Sequence, residues 1–238
     1  MKTANQIQNN EPWLFEDLGR ISENESYADI QRFTLEKLRF PKSKDMIKIC
    51  AIVTDTTKVD VDGLDKILSQ TINDIDANII ITPEYYYSKK NDKPLTEKQK
   101  DFFLKKKKKE TAKCKEKLII PGSFLWHKNG NLYNTAYLLF NGEIIGEYNK
   151  ICDGREKNIA DENKLIWKYG KKIGLFEWEG LKLGIELCVD SGSLKCQGIT
   201  NLDLLLHVCC GFGIGSLTTS INSIKFGGYY LQIDGFKH

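Results

Sequence analysis

The chain has 238 residues, 41% of them hydrophobic and 28% charged, with a net charge of +3. That is the composition of a soluble globular protein, long enough to bury a sizeable core in one large domain or two small ones. No apolar run reaches the ~20 residues needed to span a bilayer, and the first twenty residues hold no apolar secretory segment. A cytoplasmic location is therefore the default expectation, with export by a signal-independent route left open.

Residues 1–45 read as an N-terminal extension, and residues 46–238 as the main domain. Within the extension, Ala28 to Leu38 places Ile30, Phe33 and Leu38 on one side of a short amphipathic helix, and PKSKD follows as a connector. The main domain opens with MIKICAIV, an apolar run rich in β-formers. Leu64, Ile67, Leu68, Thr71, Ile72 and Ile75 then recur at helical spacing, and ANIIITPEYY is a second apolar strand. This β-α-β unit favours an α/β architecture with a parallel element, and it delivers Glu84 to the C-terminal end of a strand, where such folds place their chemistry.

Thr96 to Lys117 reads as a long Lys-rich helix. Between Lys89 and Lys117 stand thirteen Lys against five acidic residues, so the rest of the chain is net negative. Few aromatics interleave these lysines and no nucleic-acid motif accompanies them. A solvated helix face is favoured over a docking patch, and nucleic acid is disfavoured as a partner.

KLIIPGSF returns as a strand. HKNGNLYNTAYLLFNGEIIGEYNK carries two Asn-Gly pairs between β-prone runs, and GLFEWEGLKLGIELCVD has Glu179-Gly180 at its centre; both are hairpin signals. LDLLLHVCC and GGYYLQIDG read as the last strands, with a weak helix signal in SLTTSINSIKF between them. Alternating α/β segments mixed with antiparallel hairpins match a layered sandwich better than a doubly wound sheet.

The seven cysteines are odd in number, scattered and without CxxC spacing, so they read as reduced thiols rather than a disulfide framework or a zinc site. Cys188 differs in its setting. It follows an apolar strand, just as Glu84 follows ITP and Lys150 ends a hairpin strand, and side chains at the exits of different strands can converge. His207 lies inside an apolar strand beside Cys209 and Cys210, which disfavours both a metal site and a Cys–His hydrolase.

Pro83-Glu84, Tyr148-Asn149-Lys150 and Gly184-Ile185-Glu186-Leu187-Cys188-Val189-Asp190 stand in the order and strand contexts of the nitrilase superfamily, which this sequence resembles from about Met46 onward. The resemblance implies a four-layer α-β-β-α sandwich with mixed sheets, and a carbon–nitrogen hydrolase that needs neither metal nor cofactor. It implies Cys188 as nucleophile, its thiol pKa lowered by a nearby cation, Glu84 as general base and acid, and Lys150 with the Val189 N–H at the oxyanion. A second glutamate orienting the lysine is also implied; Glu162 is the stronger candidate and Glu156 the other.

Asp190 is a turn-former or cap beside the nucleophile. Tyr85, with Tyr86 and Tyr87, serves either a substrate pocket or aromatic packing, and Phe212 falls at an expected pocket wall. A small amide is the expected substrate ahead of a nitrile, and a homo-oligomer the expected assembly. Val189 stands where the family commonly has an aromatic, which supports an alternative: a catalytically degenerate member acting as a binding or scaffold module.

Overall fold

The computed structural model describes residues 13–23, 26–35, 47–54, 59–88, 93–212 and 220–235. Two mixed sheets pack face to face. The first runs β1 (Trp13–Glu23), β2 (Ser26–Leu35), β3 (Ile47–Thr54), β4 (Ile79–Ile81), β6 (Leu118–Ile120), β8 (Asn131–Phe140), β7 (Ser123–Lys128) and β5 (Leu95–Thr96), with β9 (Glu143–Asn149) and β10 (Ile166–Trp167) also paired to β8. The second runs β11 (Leu175–Trp178), β12 (Leu181–Leu187), β13 (Leu202–Cys210) and β14 (Ile224–Gly235).

Side-chain alternation along the strands assigns the layers. On β3, Ile47, Ile49 and Ala51 face the second sheet, while Cys50 and Ile52 face helices α1 (Val61–Asp74) and α2 (Glu97–Lys113). On β4 and β6, Ile79, Ile81, Leu118 and Ile120 point inward against Ile80 and Ile119 outward. Leu183, Ile185, Leu187, Leu204, Leu206 and Val208 close the central layer from the other side. On the outer face of the second sheet, Leu202 and Leu205 are covered by Leu194 of the one-turn helix α4 (Ser193–Cys196), with Ile173, Ile199 and Ile224 packed around them. The order is therefore α-β-β-α, with a thin fourth layer.

The expected β-α-β unit is present: β3 and β4 pair in parallel across α1. The three hairpin turns hold as well, since Asn129-Gly130, Asn141-Gly142 and Glu179-Gly180 all have positive φ at both central residues, the twist that matches paired strands. No helix among the described residues is long and apolar enough to cross a membrane.

Three expectations change. Ala28 to Leu35 is not helical, and the rest of the run to Leu38 lies outside the described residues. Residues up to Leu35 belong to β2, paired antiparallel with β3 from Ala28↔Thr54 to Leu35↔Ile47. An open edge on β3 offers a ladder of backbone hydrogen bonds, and this outweighs a helical periodicity carried by three residues. KLIIPGSF is two strands, β6 and β7, which follow one another along the same edge of β8. The break falls at Pro121-Gly122, where a Cβ on Gly122 (φ +57°) would stand 1.9 Å from the carbonyl oxygen of Pro83; only glycine allows that approach. PKSKD lies outside the described residues, as do residues 216–219 of SLTTSINSIKF, whose last three residues belong to β14.

The Lys-rich helix is also less solvated than its composition suggests. Lys107 is fully buried, its ammonium bonded to Asp65 (2.9 Å), Glu110 (2.8 Å) and the Ser69 hydroxyl (2.5 Å). Lys106 pairs with the same Asp65, Lys108 with Glu143 (2.9 Å), and Lys100 sits over the Trp126 ring at 4.1 Å. These lysines fasten α2 to α1 and to the sheet.

The two kinds of lysine in this run separate by mutation. Lys107→Ala leaves buried Asp65 short of a partner, and a loss of roughly 3–5 kcal/mol in urea unfolding is expected; Lys105→Ala, two positions away, is expected to stay within about 0.5 kcal/mol.

Candidate active site

Four strand exits converge at one end of the sandwich. Glu84 follows β4, and its N–H donates to the Cys209 carbonyl at the end of β13 (3.1 Å), which ties the two sheets together at that point. Tyr85, with φ +58°, donates its N–H to the Ser123 hydroxyl (3.0 Å), so the turn is held on β7. Lys150 follows β9; its N–H donates to the Asn134 carbonyl (2.9 Å) and its own carbonyl accepts from Gly170 (2.8 Å). Cys188 follows β12 and opens a 3-10 turn, Cys188–Asp190, with φ +49°.

At the centre, the Lys150 ammonium lies 2.8 Å from Glu84 Oε1 and 2.7 Å from Glu156 Oε1. All three side chains are buried. The Asn134 amide donates Nδ2 to the same two oxygens, at 3.0 and 2.9 Å. One ammonium and one amide thus bridge two carboxylates.

The two carboxylates have opposite surroundings. Glu156 Oε1 also accepts from the Tyr85 hydroxyl (2.5 Å), and Oε2 from the N–H groups of Gly154 (2.8 Å) and Arg155 (3.1 Å). Burial works against its charge, but Lys150 and these hydrogen bonds outweigh it and pull the carboxyl down to about 2. Glu84 Oε2 meets no N–H or O–H donor among the described residues. Burial dominates there, and with the charge of Glu156 it raises Glu84 to about 7 against the pull of Lys150. For Lys150 burial again opposes the charge, yet Glu84 and Glu156 together hold the ammonium well above its usual range.

Cys188 is pushed up to about 12, first by burial and then by the Glu84 carboxylate, which acts through its charge and as a side-chain hydrogen-bond partner; Lys150 opposes this and loses. The expected cation-lowered thiol is therefore not what the surroundings produce. The cation is spent on two carboxylates, and the thiol faces a base instead.

Glu162, the stronger sequence candidate for the second glutamate, is exposed at the last residue of α3 (Glu156–Glu162), whereas Glu156, its first residue, turns inward beneath the 152–155 loop. That loop can close over the ammonium because Gly154 has no side chain: a Cβ there would stand 3.1 Å from Lys150 Nζ. Tyr85 is 1% exposed and holds Glu156, while Tyr86 and Tyr87 are core residues packed among the helices and the first sheet.

Asp190 is buried beside Cys188 and accepts from the Tyr148 hydroxyl (2.6 Å) and the N–H groups of Ile151 (3.1 Å) and Cys152 (2.6 Å), with burial raising it to about 6. It joins the turn after the cysteine to the segment after the lysine. Val189 is 38% exposed. Phe212 lies against the His207 ring, centroids 4.8 Å apart.

Sequence reasoning missed Asn134 and Glu186. Each announces itself only as a polar residue within a mostly apolar strand. Glu186 accepts from the N–H groups of Gly192 and Leu194, both at 3.0 Å, and from the Ser220 hydroxyl at 2.6 Å, holding the turn that follows Cys188–Asp190.

A family model for carbon–nitrogen hydrolases matches residues 48–194. Among solved structures, a cysteine-to-alanine mutant of an amidase of the nitrilase superfamily from Nesterenkonia AN1 is 14% identical, with TM-score 0.60, covering 79% of this chain and 75% of that one. A glutamine-dependent NAD(+) synthetase from Cytophaga hutchinsonii is 18% identical, with TM-score 0.58, covering 81% of this chain and 36% of that one. A CN-hydrolase superfamily protein from Xanthomonas campestris is 16% identical, with TM-score 0.49 and 63% of this chain covered; the chain spans 59% of its length. At these identities the likeness is one of fold. No curated protein matches the chain at a significant level. The family match spans more than half of the chain and takes in Glu84, Lys150 and Cys188, and the protein belongs to the carbon–nitrogen hydrolase family.

Proposed function

We propose that this protein is a cysteine amidase that cleaves the C–N bond of a small amide through a thioester on Cys188. The observation that carries the reading is the division between two carboxylates on one ammonium. Glu156 is saturated with donors and stays charged, whereas Glu84 is raised to about 7 and has an oxygen that meets no N–H or O–H donor among the described residues. Two titratable groups pushed apart in this way are a counter-ion and an acid–base catalyst.

In the forward step Glu84 takes the thiol proton as sulfur attacks the amide carbon, and the carbonyl oxygen becomes anionic against the Lys150 ammonium and the Val189 N–H. Glu84 then passes its proton to the nitrogen, the C–N bond breaks, and ammonia or an amine leaves a thioester behind. Water, deprotonated by Glu84, attacks the thioester; the carboxylic acid leaves and the proton returns to sulfur. Lys150 stays protonated throughout, because two carboxylates hold its charge. Asn134 and Glu156 fix the ammonium, and Asp190 fixes the distance between the lysine and cysteine segments.

The rival reading, a binding module without turnover, takes support from Val189 after the cysteine and from the Lys-rich helix as a docking face. Lys100, Lys106, Lys107 and Lys108 already have partners within the fold, which removes much of that face.

Alkylation by iodoacetamide, mapped by peptide mass over all seven cysteines, tests the base without knowledge of the substrate. Cys188 is expected to outpace the exposed Cys152 and Cys196, with a rate that rises through pH ~7 as Glu84 ionises and then levels off. A rate that climbs steadily towards the pKa of an unassisted thiol would sink the assignment of Glu84. Glu84→Gln is expected to remove the step near pH 7 and slow the reaction about 100-fold or more. In an amide panel, Cys188→Ala is expected to abolish ammonia release with the circular-dichroism spectrum intact.

Asp190→Ala orphans three donors, at about 1–3 kcal/mol for each that stays buried. Urea unfolding is expected to show that loss, with slower Cys188 alkylation, while Tyr148→Phe, which removes one donor, has the smaller effect.

A further inference from the structure

His207 has no part in the chemistry above, yet it touches the nucleophile's backbone. It is fully buried on β13, on the face opposite Leu206 and Val208, and so lies on the outer side of the second sheet beneath the turn that begins at Cys188. Its Nε2 stands 2.7 Å from the Cys188 carbonyl oxygen, and its Nδ1 stands 2.5 Å from the Tyr230 hydroxyl on neighbouring β14.

These contacts fix the direction of each hydrogen bond. A carbonyl oxygen only accepts, so Nε2 carries the proton. Burial is the largest influence on the ring and disfavours its cationic form, which leaves Nδ1 as an acceptor for the Tyr230 O–H. The hydroxyl's one proton goes to Nδ1 rather than to Gln232 Oε1, 3.4 Å away. The chain therefore runs Tyr230 O–H to His207 Nδ1, and His207 Nε2–H to the Cys188 carbonyl.

The Cys188 carbonyl also accepts the Ser191 N–H (3.1 Å). Two donors on one oxygen over-determine a peptide that follows a non-glycine residue at φ +49°, a conformation that costs about 1–2 kcal/mol. The bond between Cys188 and Val189 is trans and planar, so its C=O and N–H point in opposite directions. Whatever pins the carbonyl against the sheet aims the Val189 N–H to the opposite side of the peptide.

We propose that His207, oriented by Tyr230, is a positioning residue that holds the Cys188–Val189 peptide so that the Val189 N–H is presented to the oxyanion of the reacting carbonyl. The inference rests on the amidase reading. It assigns His207 to stabilisation of the tetrahedral intermediate and not to activation of the thiol, which belongs to Glu84.

Two reagents separate those roles. Iodoacetamide alkylates sulfur by displacement at a saturated carbon and forms no oxyanion. p-Nitrophenyl acetate acylates it through a tetrahedral oxyanion: the S–C bond forms, the C–O bond to p-nitrophenolate breaks, and the thiol proton passes to Glu84. Both rates are measured at Cys188 in the full chain, as p-nitrophenolate release with the acetylated peptide identified by mass, and as carbamidomethylation of the same peptide. His207→Phe is expected to slow acylation about 10- to 100-fold, as for a misaligned oxyanion donor, with alkylation within about twofold of wild type. His207→Gln, whose amide can donate to the Cys188 carbonyl, is expected to recover most of the acylation rate. Equal falls in both rates, or an unchanged acylation rate in folded His207→Phe, would overturn the assignment. Should His207→Phe not fold, Tyr230→Phe decides instead: a smaller fall confined to acylation supports the proposal, and its absence overturns it. A wild-type Cys188 that reacts with neither reagent would overturn the amidase reading, and this inference with it.

Discussion

The Lys150 ammonium, buried between Glu84 and Glu156, is the interaction on which the rest of the site depends. Removing three charged groups from water costs several kcal/mol for each, and direct pairing recovers this only when the remaining hydrogen-bonding capacity is also met. Here it is met unevenly. Among the described residues Glu156 receives five donors, whereas Glu84 receives two N–H donors, both on one oxygen, and the Cys188 thiol. The network that satisfies one carboxylate leaves the other close to half-ionised at pH 7, in contact with a thiol. The arrangement that pairs the ammonium is the one that sets the two carboxylates apart.

That cluster needs segments far apart in the chain to arrive within hydrogen-bonding distance, and the packing of the strands supplies the precision. The Glu84 N–H bonded to Cys209 joins the exits of the first and second sheets. Asp190 joins the segment after Lys150 to the turn after Cys188, and Glu186 holds the turn beyond. Each fastening is a buried carboxylate or carbonyl with backbone donors, which leaves little rotational freedom. Gly122 marks where backbone passes so close to Pro83 that a methyl group would not fit, and at Gly154 a methyl group would press on the Lys150 ammonium.

Charge distribution alone misleads about the outer layer. A run of five lysines suggests a surface for an acidic partner, yet Lys107 is the most buried of its neighbours and bonds three oxygen groups on α1 and α2. A helix has one inward face regardless of its composition, and a lysine that falls there is retained if acceptors are waiting. Asp65 is the acceptor that decides this, because it pairs with Lys106 and Lys107 and takes the Tyr87 hydroxyl at 2.6 Å.

The sequence by itself determined the strand and hairpin pattern from Met46 onward, the α/β class, and the order of Glu84, Lys150 and Cys188. These are written in local signals: period-2 and period-3.6 hydrophobicity, Asn-Gly turns, and motifs a few residues long. Tertiary structure alone decided what those signals do not carry. It made Ala28–Leu35 a strand, because an open edge on β3 offers hydrogen bonds that no periodicity records. It brought Glu156 rather than Glu162 to the lysine, since helix α3 starts with its first residue facing inward and ends in solvent. It recruited Asn134, Glu186 and His207, polar residues within mostly apolar strands, by putting an acceptor or donor opposite them. And it set the thiol high and Glu84 near 7, because burial and the sharing of one ammonium are properties of three-dimensional neighbours and not of neighbours in the chain.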